Sequence, residues 1–315
     1  MVSNGSGFGA GRLYSFLRGF IHRWVEFREL STARYQTNTH TVAEPFGNIT
    51  LTTSTADIAF ALANDEKCRV ECYEEENEKH QVTVENNTLV IKAVNTKSWY
   101  HYIGLYFGSP KITVYLPKAE YNTLLISEST GSIKIPNNFA FANANISLST
   151  GNADFGASVL NSAQIKTSTG NILVENTSVG ALNLSATTGK VTVLGVTCRK
   201  SITVGVSTGK TELTRVTCKS LTSNGTTGSL FLNRVTAADS FFIKRSTGDI
   251  TFSSCDAAAL KVKTSTGNVT GSLRTPKIFI TNTKTGSVRV PKTASGGTCE
   301  IGTGTGNIEV KLAEN

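Results

Sequence analysis

Carboxylates and histidines are the side chains that could give this 315-residue chain acid–base chemistry. Enzymes that cleave sugar polymers hold two carboxylates close together across the scissile bond. Three residues after the glycine of a recurring Thr-Gly dipeptide, carboxylates occur only at Asp154, Glu212 and Glu309. Asp154 and Glu212 are three repeats apart, about 14 Å if each repeat adds one strand spacing. All 4 histidines precede residue 121, so the repeats predict no catalytic residues, metal or cofactor, and we expect a non-enzymatic protein.

The 6 cysteines are a second group with potential chemistry. Cys68 and Cys72 are separated by four residues of strand-like sequence, about 13 Å, too far for a disulfide and for easy sharing of one zinc ion. Cys198 and Cys218 each lie nine residues after a Thr-Gly glycine. They should therefore stack on adjacent coils about 4.8 Å apart, which permits a disulfide, although we favour two buried free thiols.

Basic residues exceed acidic ones and give a net charge of +8. Most are scattered, as on a solvated surface, but Arg215, Lys219, Arg234, Lys244 and Arg245 follow one another through the middle repeats. This concentration predicts a patch for an anionic polymer or for lipid headgroups. Few aromatic residues interleave with it, so we expect no nucleic-acid partner.

Residues 12–30 form an amphipathic segment after a Gly-rich start. Phe16, Phe20, Trp24 and Phe27 fall at helical spacing, with arginines on the other faces. Such a helix covers the open end of a repeat array or attaches to a membrane surface. No stretch reaches the ~18 apolar residues of a membrane span, and no secretory signal is recognisable. The sequence therefore leaves a cytoplasmic location open beside an envelope or membrane-associated one.

The densest aromatic segment precedes the repeats and contains Trp99, Tyr100, Tyr102, Tyr106 and Phe107. Exposed rings of this kind stack on sugars or enter a membrane interface. Alternatively, the segment folds over the start of the repeats and buries its rings. Both interpretations make it a candidate contact region.

The Thr-Gly dipeptide recurs ten times, every 19 or 20 residues, with its glycine at Gly131, Gly151, Gly170, Gly189, Gly209, Gly228, Gly248, Gly267, Gly286 and Gly306. A fixed period of this length predicts a solenoid. Apolar residues stand two and four residues after most of these glycines, as on the inward face of a strand. A polar residue follows each glycine directly. Glycine itself suits a corner because it adopts positive φ without strain, and the threonine hydroxyl before it could bond the next turn.

These patterns divide the chain into residues 1–40 (Gly-rich start and amphipathic helix), 41–120 (a degenerate first coil, capping strands and the aromatic loop) and 121–315 (the solenoid). Ser54–Asp57 stands where a Thr-Gly turn would complete the first coil. The last strand, Asn307–Leu312, should leave an edge that is either exposed or capped by another chain, and an uncapped edge invites end-to-end contacts. The oligomeric state stays open.

The Thr-Gly repeats, the upstream Asp57-Ile58, the segment Ser109–Lys118 and the aromatic run Trp99–Phe107 together resemble the bacterial putative-adhesin family of β-solenoids over residues 41–315. The resemblance implies a single-stranded, right-handed parallel β-helix of about 10–11 coils with an N-terminal cap and, outside the resemblance, a short N-terminal helix. That family has no assigned biochemical role, so it supplies no catalytic residues.

On this basis we expect a non-enzymatic binding, adhesion-like or scaffold protein of a bacterial cell envelope. Its partner would be an envelope glycan, a protein or an anionic lipid. Two alternatives remain at this stage: a peripheral membrane or envelope-stress accessory protein attached through residues 12–30, and a glycan-active enzyme.

Overall fold

The computed structural model describes residues 34–95 and 110–313, which form one all-β unit of 24 strands. In chain order the strands are β1 (Tyr35–Val42), β2 (Asn48–Thr55), β3 (Asp57–Leu62), β4 (Cys68–Glu75), β5 (Glu78–Glu85), β6 (Thr88–Asn95), β7 (Lys111–Leu116), β8 (Glu120–Thr130), β9 (Ile133–Ile135), β10 (Ala140–Thr150), β11 (Ala153–Phe155), β12 (Ser158–Thr169), β13 (Ile172–Glu175), β14 (Ser178–Thr188), β15 (Val191–Cys198), β16 (Ser201–Thr208), β17 (Thr211–Thr227), β18 (Leu230–Thr247), β19 (Ile250–Thr266), β20 (Val269–Leu273), β21 (Lys277–Thr285), β22 (Val288–Arg289), β23 (Gly297–Thr305) and β24 (Ile308–Leu312). In the described part of the chain, no helix has the length and apolar character needed to span a membrane. The predicted helix at 12–30 lies outside the described residues.

Each coil of the solenoid has one strand segment before the Thr-Gly corner and one after it. β10 precedes the corner at Gly151 and pairs in parallel with β8 and β12. β11 follows that corner and pairs in parallel with β9 and β13. The structure thus confirms the predicted parallel β-solenoid, in which each repeat adds one coil.

The corner glycines adopt a backbone conformation that other residues rarely take. Their φ values lie between 127° and 153°, where an L side chain is strained. A Cβ on Gly170 would lie 1.9 Å from the carbonyl oxygen of Gly151, the corner of the neighbouring coil. Glycine is therefore needed at the corner for two reasons: it adopts the backbone conformation of the turn, and it lets successive corners approach each other closely.

Several of the polar residues that follow a corner glycine form a ladder along the stack. Asn152 Oδ1 accepts a hydrogen bond from Asn171 N at 2.9 Å, and Asn171 Oδ1 accepts one from Lys190 N at 2.8 Å. The threonine before the glycine contributes its backbone carbonyl, since Gly151 N donates to Thr169 O at 2.8 Å. A hydroxyl contact comes instead from Thr167, which donates to Gly151 O at 3.3 Å. Successive corners are thus tied together by backbone hydrogen bonds, and several of them by side-chain hydrogen bonds as well.

The first coil uses β2 and β3, with Ala56 at its corner. Ala56 N donates to Thr130 O at 3.1 Å, which places this corner against the first Thr-Gly turn as the sequence predicts. A further layer, β6 and β7, pairs in parallel with β2 and β3. Antiparallel strands then complete the N-terminal end: β5 on β6, and β1 on β4 on β7. Among the antiparallel pairs of the described residues, only β5–β6 joins strands that are neighbours in sequence.

The last two coils are stacked in the reverse of their sequence order. β23 lies between β19 and β21, and β24 lies between β20 and β22. The expectation that Asn307–Leu312 forms the free edge is therefore wrong, because both sides of β24 have partners. The terminal layer is instead β21 and β22. A period of 19 or 20 residues is the same for either stacking order, so the repeat could not reveal the reversal.

Two consecutive glycines begin the inserted coil. A Cβ on Gly296 would lie 2.0 Å from Pro276 O, and one on Gly297 would lie 1.8 Å from Ala258 O. Gly296 thus lies against the terminal layer and Gly297 against β19. Without side chains at these positions, the segment fits between two coils that it must separate.

The inward columns form one continuous hydrophobic core through the stack. Ile133 and Ile135 belong to it in one coil and Ile172 and Val174 in another, all at most 2% exposed. Stacking buries faces that a single coil would leave in water. The core fixes which side chains point outward, and hence where a ligand can make contact.

Candidate binding groove

A shallow groove crosses four coils on the solenoid side formed by the segments before each corner. Its outward positions form two rows across neighbouring strands, with Phe242 at one margin. The rows are Ser185, Gly205, Asn224 and Lys244, and Thr187, Ser207, Thr226 and Ser246. Four coils span about 14 Å at the usual strand spacing, and the groove encloses about 600 Å³. The groove is therefore lined by hydroxyl and amide side chains and by small residues, together with one aromatic ring and one cationic side chain.

The groove is open because Gly205 carries no side chain. Its strand conformation does not require glycine, since it is not among the positive-φ residues, and a Cβ would meet no atom within 4 Å. Every corner glycine, by contrast, lies against backbone. Gly205 thus leaves space that any other residue would fill without local strain.

Phe242 and Lys244 supply the chemistry that differs from the rest of the groove. The Phe242 side chain is 43% exposed although it is a large hydrophobic group. Lys244 is exposed and forms no ion pair within the described residues, whereas its neighbour Lys263 lies 3.7 Å from Glu300. An aromatic face beside a free ammonium group suits a ligand that is apolar on one side and anionic on the other.

Arg245 lies beneath the groove and is only 3% exposed. Its guanidinium donates to Thr211 Oγ1 at 3.1 Å and Ser223 Oγ at 3.0 Å. It occupies the space above Gly225, where a Cβ would lie 2.4 Å from Arg245 Nη1. Burial lowers the pKa of Arg245 from 12.5 to about 10. In the described part of the chain no carboxylate pairs with it, so the floor of the groove carries positive charge.

The predicted basic patch is divided over several sides of the coil. Arg215 and Arg234 occupy the same position of adjacent coils, both at a kink with φ above 50°. Lys219 lies 3.9 Å from Asp239, and Lys244 lines the groove. Arg245 points inward, so its place in a surface patch is corrected. The register aligns the two arginines with each other but not with Lys219 or Lys244.

A row of buried, hydrogen-bonded polar side chains links the N-terminal cap to the first coil. Thr53 Oγ1 lies 3.0 Å from His80 Nε2, and His80 Nδ1 lies 2.7 Å from Glu74 Oε2. Asn38 Nδ2 donates to Glu74 Oε1 at 2.6 Å. Thr53, His80 and Glu74 are at most 6% exposed. The order of hydroxyl, imidazole and carboxylate is that of an activated nucleophile. Because these three side chains are buried, they serve here as a contact between strands.

Cys72 joins this cluster, because its sulfur and the ligand atoms of Glu74 and His80 lie within 4.8 Å of one another. Thiolate, imidazole and carboxylate are donors that zinc accepts. However, both ring nitrogens of His80 and both carboxylate oxygens of Glu74 already have hydrogen-bond partners. The hydrogen bonds account for the cluster without a metal. This grouping is not predicted from the sequence, although the alternating pattern places Cys72 and Glu74 on one strand face.

Glu128 is a second buried acid of this region and is 3% exposed. Its Oε1 accepts hydrogen bonds from Thr130 N at 3.1 Å and Ala56 N at 3.3 Å. Its Oε2 is buried and has no partner within the described residues. Burial raises the pKa of this carboxyl to about 7. The group lies at the first corner and makes the stability of that corner sensitive to pH.

All six cysteines are buried free thiols. Cys198 and Cys218 do stack on adjacent coils, and Cys198 Sγ donates to Gly180 O and Ser201 O, both at 3.4 Å. Burial raises the pKa of both thiols, that of Cys218 to about 12. The cysteines therefore fill inward positions of the core as small apolar side chains.

Two groups of predicted contact residues lie outside the described residues. They are the aromatic set Trp99, Tyr100, Tyr102, Tyr106 and Phe107, and the helix set Phe16, Phe20, Trp24 and Phe27. Both remain predictions of the sequence.

A family model described as Toastrack DUF4097 matches residues 46–311. No curated protein sequence matches the chain. Among solved structures, one from Parabacteroides merdae described as a putative adhesin has a TM-score of 0.50 at 14% identity, covering 89% of this chain and 97% of its own.

Two further structures are more distant in shape. A putative adhesin from Bacteroides fragilis has a TM-score of 0.42 at 14% identity, covering 89% of this chain and 99% of its own. A putative lipid binding protein from Parabacteroides distasonis has a TM-score of 0.44 at 19% identity, covering 75% of this chain and 94% of its own. At 14% identity, the similarity to the Parabacteroides merdae structure concerns the fold alone.

Proposed function

This chain belongs to the Toastrack DUF4097 family, and from that premise we propose a non-enzymatic, adhesion-like binding protein of a bacterial cell envelope. Its solenoid presents the groove to an acidic polysaccharide. The observation that supports this proposal is the open groove at Gly205, with the exposed Phe242 ring and the unpaired Lys244 beside each other.

An acidic polysaccharide matches this lining in three ways. Sugar rings have an apolar face that packs on an aromatic side chain such as Phe242. Their hydroxyls exchange hydrogen bonds with the serine, threonine and asparagine side chains of the two rows. A uronate carboxylate pairs with Lys244, and the buried charge of Arg245 beneath strengthens the attraction. Contact along four coils gives many weak interactions in parallel, as suits a polymer.

The test measures binding of the full chain to immobilised alginate, a polyuronate, and to neutral dextran as the uncharged reference. Wild type should bind alginate and not dextran. Phe242→Ala should weaken binding about 3- to 10-fold through the lost ring contact. Lys244→Gln should weaken it several-fold and reduce its dependence on salt. Gly205→Trp should abolish binding by filling the groove.

Lys166→Gln is the matched control, because Lys166 occupies the same column as Lys244 but lies outside the groove. It should bind like wild type. Equal weakening by Lys166→Gln and Lys244→Gln would show that only general charge is sensed. Unchanged binding of Gly205→Trp would remove the groove from the proposal.

A further inference from the structure

A left-handed kink recurs six residues after the Thr-Gly corner in five successive coils. Its φ values lie between 49° and 60°. The residues at this kink are Asn176, Gly195, Arg215, Arg234 and Ser254. Glycine adopts the left-handed conformation without strain and asparagine tolerates it, whereas a long side chain gains nothing from it. The two arginines therefore occupy positions at which the fold itself favours other residue types.

Arg215 and Arg234 lie side by side on adjacent coils. The parallel pairing of β17 with β18 continues on both sides of the kink, and Val216 lies opposite Val235 just after it. The two arginines are thus about one strand spacing apart, ~4.8 Å. Both side chains are exposed. Like charges so close together repel each other, and an anion held between them would remove that repulsion.

The carboxylates of these two coils are already paired with lysines. Residues 209–247 contain two acids, Glu212 and Asp239. Glu212 is held by Lys190 Nζ at 2.6 Å, and Asp239 lies 3.9 Å from Lys219 Nζ. Within residues 34–95 and 110–313, neither arginine of the kink has an ion-pair partner. Their guanidinium groups are therefore available to an external anion.

A third arginine reaches the same side of the coil from two coils away. β18, β19 and β20 lie next to one another in that order, and Arg274 directly follows β20. Its guanidinium extends back and donates to Thr236 Oγ1 at 2.7 Å. Thr236 stands two residues after Arg234, so Arg274 brings further positive charge beside the pair. Asp256, on the strand between them, is already held by Lys277 Nζ at 2.8 Å.

We propose that Arg215 and Arg234 bind a phosphate group between their guanidinium groups, with Arg274 adding positive charge beside it. One guanidinium is enough for both oxygens of a carboxylate. A phosphomonoester presents three free oxygens and up to two negative charges, which can engage two guanidinium groups at once. The planar donors of arginine match this geometry better than the ammonium group of lysine.

The phosphate site is separate from the groove. The groove lies on the segments before the Thr-Gly corners, and the arginines lie after the corners. The two proposals therefore stand or fall independently.

Isothermal titration calorimetry of the full chain tests the site with three probes at equal ionic strength: inorganic phosphate, glycerol 3-phosphate and glucuronate. Wild type should bind both phosphate compounds and not the carboxylate. Arg215→Asn and Arg234→Asn should each weaken phosphate binding at least about tenfold, because a charge-assisted pair is lost. Arg234→Lys keeps the charge but loses the planar donors, and it should weaken binding several-fold.

The asparagine variants should fold, because asparagine already occupies the kink at Asn176. Thermal denaturation should show them to be at least as stable as wild type, since asparagine tolerates the left-handed conformation better than arginine does. Lost binding in a protein of undiminished stability separates a binding role of the arginines from a structural one.

Co-sedimentation with phosphatidylcholine vesicles, with and without phosphatidic acid, distinguishes the two sources of the phosphate group. Retention by the phosphatidic acid vesicles that Arg234→Asn abolishes would identify a lipid headgroup. Binding of glycerol 3-phosphate without retention by these vesicles would identify a soluble phosphate. Both results support the site.

Arg289→Gln is the matched control, because Arg289 is an exposed arginine of the terminal layer and lies outside the site. It should bind phosphate like wild type. A wild-type protein that binds neither phosphate compound, or that binds glucuronate equally well, would overturn the proposal. The same holds if Arg289→Gln weakens binding as much as Arg234→Asn does.

Discussion

Replacing Gly170 with alanine tests whether the corner glycines hold the coils at their observed spacing. Gly170 has φ of +144°, and an added Cβ would lie 1.9 Å from Gly151 O and 2.6 Å from Gly151 C. The clash is with backbone, so no side-chain rotation relieves it. Either the corner changes conformation or the two coils move apart.

The magnitude follows from two costs. Forcing a side chain into this glycine-only backbone region costs about 1–3 kcal/mol. Displacing packed backbone resembles overpacking of a core, which costs about 1–3 kcal/mol more. We therefore expect the free energy of unfolding to fall by about 2–6 kcal/mol. Gly205→Ala is the matched control, because its Cβ meets nothing within 4 Å, and it should change stability by less than about 1 kcal/mol.

Guanidinium denaturation followed by circular dichroism gives the stability of each variant, and hydrogen exchange locates the damage. Exchange should accelerate at Gly151 N and Gly170 N, which donate to Thr169 O and Thr188 O at 2.8 and 2.9 Å. Distant corners such as Gly267 should be unaffected, since coils contact only their neighbours. Equal stability of the Gly170→Ala and Gly205→Ala proteins would refute this account of the corner.

Three further predictions follow from buried groups. The pKa of Glu128 is about 7 against an ordinary 4.5, so the folded state binds this proton more tightly than the unfolded state. The free energy of unfolding should therefore fall as pH rises from 4.5 to 7, by up to about 3 kcal/mol, and pH-dependent denaturation of Glu128→Gln should lose that slope. Cys198 and Cys218 should not react with Ellman's reagent at pH 8 until the protein is unfolded, because only exposed thiolates react; mass spectrometry of native, alkylated protein would reveal an exception. Gly225→Ala should destabilise the protein, because the added Cβ would clash with the Arg245 side chain. Arg245→Met should restore stability in the double variant, with a coupling energy of at least about 1 kcal/mol by thermal denaturation.

The sequence predicts the coil because its information is local and periodic. Glycine at a fixed step, a polar residue after it, and apolar residues two and four positions on are properties of one coil, such as Gly170, Asn171, Ile172 and Val174. Most coils repeat them, so parallel stacking follows. The family resemblance agrees with this reading and adds the N-terminal cap.

Features that depend on contacts between distant segments could not be read in this way. The chain of Thr53, His80 and Glu74 requires the pairing of strands that are not adjacent in sequence. The burial of Arg245 could have been predicted from the sequence. This residue stands three positions before Gly248, in a column whose other members point inward. Gly225 in the preceding coil of that column marks the space it fills.

The reversed order of the last two coils bears on how the chain is made. During synthesis, a parallel solenoid can add each coil to the one just completed as the polypeptide leaves the ribosome. Here β21 has no native neighbour until β23, which is made later, lies between it and β19. The final layer can therefore reach its native place only after β23 and β24 have been made. This end of the solenoid is completed by inserting a later coil beneath an earlier one, and not by adding one more repeat to the end of the stack.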